Sequence, residues 1–77
     1  MITKGRRLLY SDVNELMHYN GIFILDWDNG KPKRFDFDEF ISMADAMEYS
    51  FGGYNCAFYI EDIDENNNYI ILSWICV

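Results

Sequence analysis

The stretch from Asp36 to Tyr54 constrains the fold more than any other, because it alone carries a complete helical signature with a start and a stop. Its apolar residues recur at intervals of three and four, at Phe37, Phe40, Ile41, Ala44, Met47 and Phe51. That spacing places them on one side of a helix, and this side must be buried. Asp36 followed by Glu39 predicts a capping box, and Gly52-Gly53 predicts the helix end.

A β-hairpin is predicted directly before this helix. The dipeptide Asn29-Gly30 lies between two extended runs and favours a two-residue type I′ turn. This turn predicts a register in which Ile22 is opposite Phe37. Because Pro32 lacks a backbone N–H, we expect the second strand of the hairpin at an edge of the sheet.

A second hairpin is predicted after the helix, from strands at 56–63 and 69–77. The loop between them is rich in Asn and Asp, and these residues favour a tight connection centred on Asn66-Asn67. Both faces of this strand pair are apolar, so both need cover. The register places Tyr59 and Trp74 on one face.

The same register places the two cysteines, Cys56 and Cys76, on opposite faces of the sheet. A disulfide would require a different register. We therefore expect reduced thiols in a cytoplasmic protein. The sequence shows no signal-peptide pattern and no stretch of transmembrane length, so no membrane association is expected.

At 77 residues the chain has room for one hydrophobic core. We predict a single α+β domain over residues 1–77, with a four-stranded, mostly antiparallel sheet made of two β-hairpins. The element order is α-β-β-α-β-β. The long helix packs on one face, and a short N-terminal helix, starting at Ser11 and carrying Val13, Leu16 and Met17, is left to cover the other only in part. Residues 2–10 fit either a short strand or an irregular arm.

The charge is unevenly distributed along the chain. The net charge is −7, and the segment 35–77 contains nine acidic residues and no basic one. Direct nucleic-acid binding is disfavoured, because it requires clustered Lys and Arg. The acids either keep a small hydrophobic domain in solution or form a face that docks on a basic protein surface. Since 51% of the residues are apolar, we expect part of the apolar surface to lie outside and to mark an interaction site.

An enzyme is not predicted, and neither are catalytic residues, a metal or a cofactor. His18 is the one histidine, and no nucleophile is placed beside it by the sequence. Residues 62–68 alternate oxygen ligands like the start of a calcium loop, but Asn67 stands where that loop needs glycine and Ser73 where it needs glutamate. A polar turn and a weak calcium site both fit this segment.

The favoured hypothesis is a non-catalytic, acidic protein-binding module, an inhibitor that docks on a basic, nucleic-acid-binding surface of another protein. In size and charge, though by no motif, it is similar in type to phage-encoded inhibitors of host defence and to toxin-neutralising immunity proteins. The predicted partner-binding residues are Asp38, Asp45, Glu48, Tyr59, Glu61, Asp62, Asp64, Glu65, Tyr69 and Trp74. The alternative is a homo-oligomeric structural or accessory domain that buries its apolar sheet face in a dimer, with Trp74 and Tyr59 near their symmetry mates.

Overall fold

The structure, a computed structural model, describes residues 1–25, 30–46, 51 and 56–76. A 3₁₀ helix (Tyr10–His18) is followed by β1 (Gly21–Leu25), β2 (Pro32–Phe35), α1 (Phe37–Ala46), β3 (Cys56–Asp64) and β4 (Tyr69–Cys76). The predicted α+β class and the predicted order of helices and strands are confirmed. The predicted continuation of α1 over residues 47–50 and its glycine stop lie outside the described residues.

The four strands form one mixed sheet in the order β2-β1-β4-β3. Each hairpin is antiparallel, and the two hairpins join through a parallel pairing of β1 with β4. The sheet is therefore mostly antiparallel, as predicted. The two strands that meet at its centre come from opposite ends of the sequence.

The predicted register of the first hairpin is wrong by two residues. Ile22 is opposite Phe35, because Phe37 already belongs to α1. The predicted cap explains this: the Oδ1 atom of Asp36 accepts the backbone N–H of Glu39 at 2.7 Å, which starts the helix and ends the strand. A shift of two residues leaves every side chain on its predicted face. Part of the predicted turn, at 26–29, lies outside the described residues.

Both edges of the sheet are protected against pairing with another strand. β2 is a four-residue edge strand that begins with Pro32, as predicted. At the other edge an arm formed by residues 5–8 pairs with β3. The backbone N–H of Gly5 donates to the carbonyl of Ile60 at 2.8 Å, and that of Leu8 donates to the carbonyl of Phe58 at 2.9 Å.

A β-bulge changes the register of the second hairpin halfway along. Near the turn Ile63 is opposite Ile70, as predicted, but the register shifts at Glu61. Beyond the shift Cys56 is directly opposite Cys76. The expectation of reduced thiols is wrong, since Cys56 is disulfide-bonded. The bulge adds one residue to β3 and so shifts the pairing of residues 56–60 by one position from the predicted register.

Both helices contribute to one hydrophobic core on one face of the sheet. The core consists of Leu8, Val13, Leu16, Ile22, Phe40, Ala44, Phe58, Ile60, Ile70 and Leu72. The 3₁₀ helix was predicted to cover the second face, and this is wrong: Val13 and Leu16 share the cluster with Phe40. The arm sets this position, because it buries Leu8 beside Phe58 before the helix begins.

The start and the solvent side of the 3₁₀ helix also differ from the prediction. Ser11 is not its cap, because the helix begins at Tyr10 after Leu9 and has no side-chain cap. Met17, predicted on the apolar stripe, is 63% exposed. The hydrogen bond from the Tyr19 N–H to the Leu16 carbonyl, at 3.2 Å, has the three-residue spacing of a 3₁₀ helix.

The turn between β3 and β4 is tied to the end of the 3₁₀ helix. It spans residues 65–68 and is centred on Asn66-Asn67, as predicted. Asn68 adopts a left-handed φ of 56°, and its side-chain amide donates to the carbonyl of His18 at 2.6 Å. The Asn20 amide donates to the carbonyl of Asn67 at 2.9 Å.

Candidate protein-binding face

The sheet face opposite the core is the candidate site, and we refer to it as the open face. Successive side chains of a strand alternate between the two faces, and residues paired in the ladder share a face, so the positions of the core residues assign the others. They are Phe23, Leu25, Pro32, Arg34, Ala57, Tyr59, Asp62, Asp64, Tyr69, Ile71, Ser73 and Ile75. Within the described ranges, neither helix packs on this face.

The centre of the open face is an apolar hollow of about 280 Å³. It is lined by Phe23, Leu25, Pro32, Tyr69 and Ile71. The rings of Phe23 and Tyr69 pack against each other with centroids 4.9 Å apart. Phe23, Leu25 and Ile71 are only partly buried, whereas the side chains of the core cluster are at most 6% exposed. This apolar surface is available for contact with another molecule.

Charged groups of opposite sign flank the hollow. On the β2 side the Arg34 guanidinium lies 5.8 Å from the centroid of the Tyr69 ring and donates to the carbonyl of Asn20. On the β3 side, Asp62 is opposite Ile71 in the ladder, and the Lys4 ammonium lies 3.6 Å from the Asp62 carboxylate. The Lys4 and Asp62 side chains are 69% and 55% exposed, so this ion pair contributes little stability.

The bulge places another carboxylate over the open face. Ser73 is 4% exposed, and its hydroxyl donates to Oε1 of Glu61 at 2.7 Å. A buried hydroxyl needs a hydrogen-bond partner, and the bulged residue supplies it. Glu61 is thereby held beside Tyr59, which is paired with Ser73.

The structure brings together half of the predicted partner-binding residues. Tyr59, Glu61, Asp62, Asp64 and Tyr69 are all on or over the open face, and Glu65 is exposed in the adjoining turn. Asp38 and Asp45 are exposed on α1, in the layer on the other side of the sheet. Glu48 lies outside the described residues.

Trp74 does not lie on the same face as Tyr59, although the predicted register places the two together. It is opposite Phe58, so it belongs to the helix-covered side, while Tyr59 belongs to the open face. The bulge at Glu61 separates the two aromatics. The predicted grouping of Trp74 with Tyr59 at a twofold axis is therefore wrong.

Hydrogen bonds within the protein account for the polar turn at 62–68. The two carboxylate oxygens of Asp64 accept from the backbone N–H and the side-chain amide of Asn67, at 3.1 and 2.9 Å. The Asn67 side-chain bond is the main cause of a lowered Asp64 pKa. Among the described residues no group of three or more His, Cys, Asp or Glu side chains could hold a metal ion.

A second hollow, of about 470 Å³, lies on the helix side of the sheet. His18, Glu15, Tyr19 and Glu65 are among its lining residues, so the histidine and two acidic residues line the same hollow. The pKa of the Tyr19 phenol is raised, first by burial and then by the charge of Glu15. A raised pKa keeps this hydroxyl protonated, which makes it a poor nucleophile.

Sequence reasoning missed the central part of the open face. Period-two alternation places Phe23 and Leu25 on the face away from Ile22, but the sequence does not show which strand lies next to them on the other side from β2. The parallel pairing of Phe23 with Ile71 joins strands far apart in the sequence. The one available signal was the uninterrupted apolar run of β1 itself, which indicates that both of its faces carry large apolar side chains.

The fold and its open face define a small α+β domain with helices on one side of a four-stranded sheet. Comparison with protein families, with curated proteins and with solved structures found no match for this chain. No helix in the described part of the chain has both the length and the apolar character needed to cross a membrane.

Proposed function

We propose that this chain is a non-catalytic protein-binding module and that the open face is its docking surface. One observation carries the proposal: an apolar hollow lies at the centre of a sheet face on which no described helix packs, and Asp62 and Asp64 lie along one side of it. The partner that fits is a protein that presents apolar side chains next to Lys or Arg.

The two kinds of group on the open face would act differently. Removal of Phe23, Leu25 and Ile71 from water would supply most of the affinity. The carboxylates of Asp62 and Asp64 would orient the partner and accelerate its approach, since exposed charges affect association rate more than affinity. Binding is therefore expected to weaken with salt.

A narrower form of the proposal is an inhibitor that occupies a basic, nucleic-acid-binding surface of its partner. The net charge of −7 supports it. Asp38 and Asp45, exposed on α1, would extend the negative surface around the molecule.

The test is affinity capture with three immobilised forms of the protein. The wild type, Ile71→Asp in the hollow and Asp38→Lys on α1 are each exposed to lysates, and bound proteins are identified by mass spectrometry. We expect a basic protein that binds the wild type and Asp38→Lys, is lost with Ile71→Asp, and elutes with salt. Retention of the same proteins by Ile71→Asp would overturn the assignment of the open face.

A second variant addresses the hollow on the helix side. His18→Ala removes its imidazole and leaves the backbone carbonyl that Asn68 binds. We expect partner capture to be unchanged in this variant. Loss of capture in His18→Ala, with capture kept in Ile71→Asp, would move the site to the other side of the sheet.

A further inference from the structure

We infer that the free chain covers its open face with the open face of a second copy, in a twofold dimer whose charged pairs join Arg34 of each copy to Asp62 of the other. This inference rests on the ladder register and the charges of the open face. It does not rest on the existence of a foreign partner.

Four open-face residues form one row across the sheet. The ladders place Arg34 opposite Phe23, Phe23 opposite Ile71, and Ile71 opposite Asp62. By backbone position the row therefore runs from a cationic residue on β2, through two apolar residues, to an anionic residue on β3. The Arg34 guanidinium itself lies beside the Tyr69 ring and donates to the Asn20 carbonyl. Residues at one level of a sheet project from the same face.

A twofold axis parallel to the strands, running between β1 and β4 at the level of the interface, makes this row complementary to itself. The rotation reverses the order of the row in the second copy and keeps its level along the strands. Arg34 then faces Asp62 of the second copy, and Phe23 faces its Ile71. In the dimer the Arg34 guanidinium exchanges the Asn20 carbonyl that it binds in the single chain for the Asp62 carboxylate of the second copy. Two sheets packed in this way are separated by about 10 Å, which the interdigitated side chains of the two faces fill.

Charge complementarity is the reason why we infer a second copy of this chain, and not another molecule, on the open face. Each dimer contains two equivalent Arg34–Asp62 pairs across the interface, because a twofold interface is isologous. Asp62 would lie between Lys4 of its own chain, 3.6 Å away, and Arg34 of the second copy. The protected edges leave the face, not the edge, for association: β2 begins with Pro32, and the arm bonds to β3.

The experiment uses charge reversal and recombination. Arg34→Asp and Asp62→Arg each place like charges at both pairs, so each variant alone is expected to dimerise at least about tenfold more weakly than the wild type. An equimolar mixture of the two variants restores both pairs with opposite charges, as does the double variant R34D/D62R. Sedimentation equilibrium over a micromolar concentration series measures the wild type, both single variants, their mixture and the double variant.

Recovery of dimer in the mixture also shows that both single variants are folded, because neither can complete the interface alone. Arg6→Asp and Asp45→Arg make the same charge changes outside the open face and are expected to dimerise like the wild type. A wild-type chain that stays monomeric to millimolar concentration would overturn the inference. So would a dimer that Arg34→Asp and Asp62→Arg leave unchanged, or a mixture that stays monomeric.

A measurement on the unmodified sequence gives an independent answer. In a sample mixed from isotope-labelled and unlabelled chains, an isotope-filtered nuclear Overhauser experiment detects only contacts between copies. We expect a signal between the ring of Phe23 and the methyl groups of Ile71. A dimer that lacks this signal and instead shows contacts from α1 would contradict the face-to-face arrangement.

Self-association and foreign binding would use the same surface, so they would compete. The two ideas fail separately: a monomer that captures a basic protein removes only the dimer, and a dimer that captures nothing removes only the proposed function.

Discussion

Single polar residues at the chain reversals decide where the elements of this fold begin and end. The contact from Glu39 N–H to Asp36 Oδ1 spans three residues, so the sequence predicted it. The bond from Asn68 to the His18 carbonyl spans fifty residues. No local pattern could predict it, because it exists only once the second hairpin lies beside the 3₁₀ helix.

Replacement of Asn68 should separate its backbone role from its side-chain role. Asn68→Gly and Asn68→Ala both remove the hydrogen bond to the His18 carbonyl. This loss should lower the free energy of unfolding by about 0.5–1.5 kcal/mol in each variant. Only the alanine variant also strains the left-handed backbone at a φ of 56°, so we expect it to be less stable than the glycine variant by about 1 kcal/mol. Urea denaturation measures both. Equal stability of the two variants would contradict the left-handed conformation.

The pKa of the Asp64 carboxyl group, at the start of the turn, should be lower than usual because Asn67 donates hydrogen bonds to it. Hydrogen bonds from Asn67 lower the Asp64 pKa below its ordinary value of 3.8. Since the folded pKa is the lower one, the contribution of Asp64 to stability is present above pH 3.8 and is lost as the pH falls through the folded value.

Carboxyl-carbon chemical shifts followed against pH test this assignment. Asn67→Ala should return the Asp64 pKa toward its ordinary value. Asn66→Ala is the matched control, because Asn66 contributes only a backbone hydrogen bond. An unchanged Asp64 midpoint in Asn67→Ala would assign the lowered pKa to another group.

At the scale of elements, alternation was predictable and register was not. The sequence shows which residues of a strand share a face, since that depends only on period two. Register depends on the residue at which one element ends and the next begins, and on the presence of β-bulges. The sequence pattern of Phe37 fits both a strand and a helix, and the cap at Asp36 places it in the helix. The bulge at Glu61 has no signal in the sequence.

The bulge in β3 should be linked to the stability of the hairpin through the disulfide. Because it brings Cys56 opposite Cys76, and Cys56 is disulfide-bonded, we expect Cys56→Ser to lower the free energy of unfolding by about 2–4 kcal/mol. Reductant should destabilise the wild type and leave the variant unaffected. Identical unfolding curves of the wild type with and without reductant would contradict the bond.

The disulfide also bears on the predicted location. Disulfides persist mainly in oxidising compartments. The disulfide at Cys56 therefore argues against the cytoplasmic location, which stays a prediction. Intact-mass measurement of protein purified from the native source would decide whether the bond forms there.

At the scale of the whole molecule, this chain places both helices on one side of a sheet whose two faces are apolar. The sequence correctly indicated that two apolar faces need cover and that little is available for the second. It could not show which face the 3₁₀ helix covers. That position depends on the pairing of the arm with β3. The arm lies within residues 2–10, whose sequence fits either a short strand or an irregular segment.

A pair of phenylalanine substitutions should distinguish the two faces of the sheet. Phe58 is fully buried and packs against the ring of Phe40 at 5.0 Å between centroids. We expect Phe58→Ala to lower the free energy of unfolding by about 3–5 kcal/mol, which is comparable with the entire stability of many small domains. The variant should therefore be largely unfolded at physiological temperature.

Phe23→Ala removes the same atoms from the partly buried open face. In the isolated monomer it should cost far less, about 1 kcal/mol, because water already reaches this ring. The measurement is urea denaturation at a protein concentration low enough to prevent self-association, followed by tryptophan fluorescence and circular dichroism. If Phe23→Ala proves as destabilising as Phe58→Ala in the monomer, Phe23 belongs to a closed core. The open face would then lose the ring at the centre of the apolar surface that we assign to a partner and to a second copy.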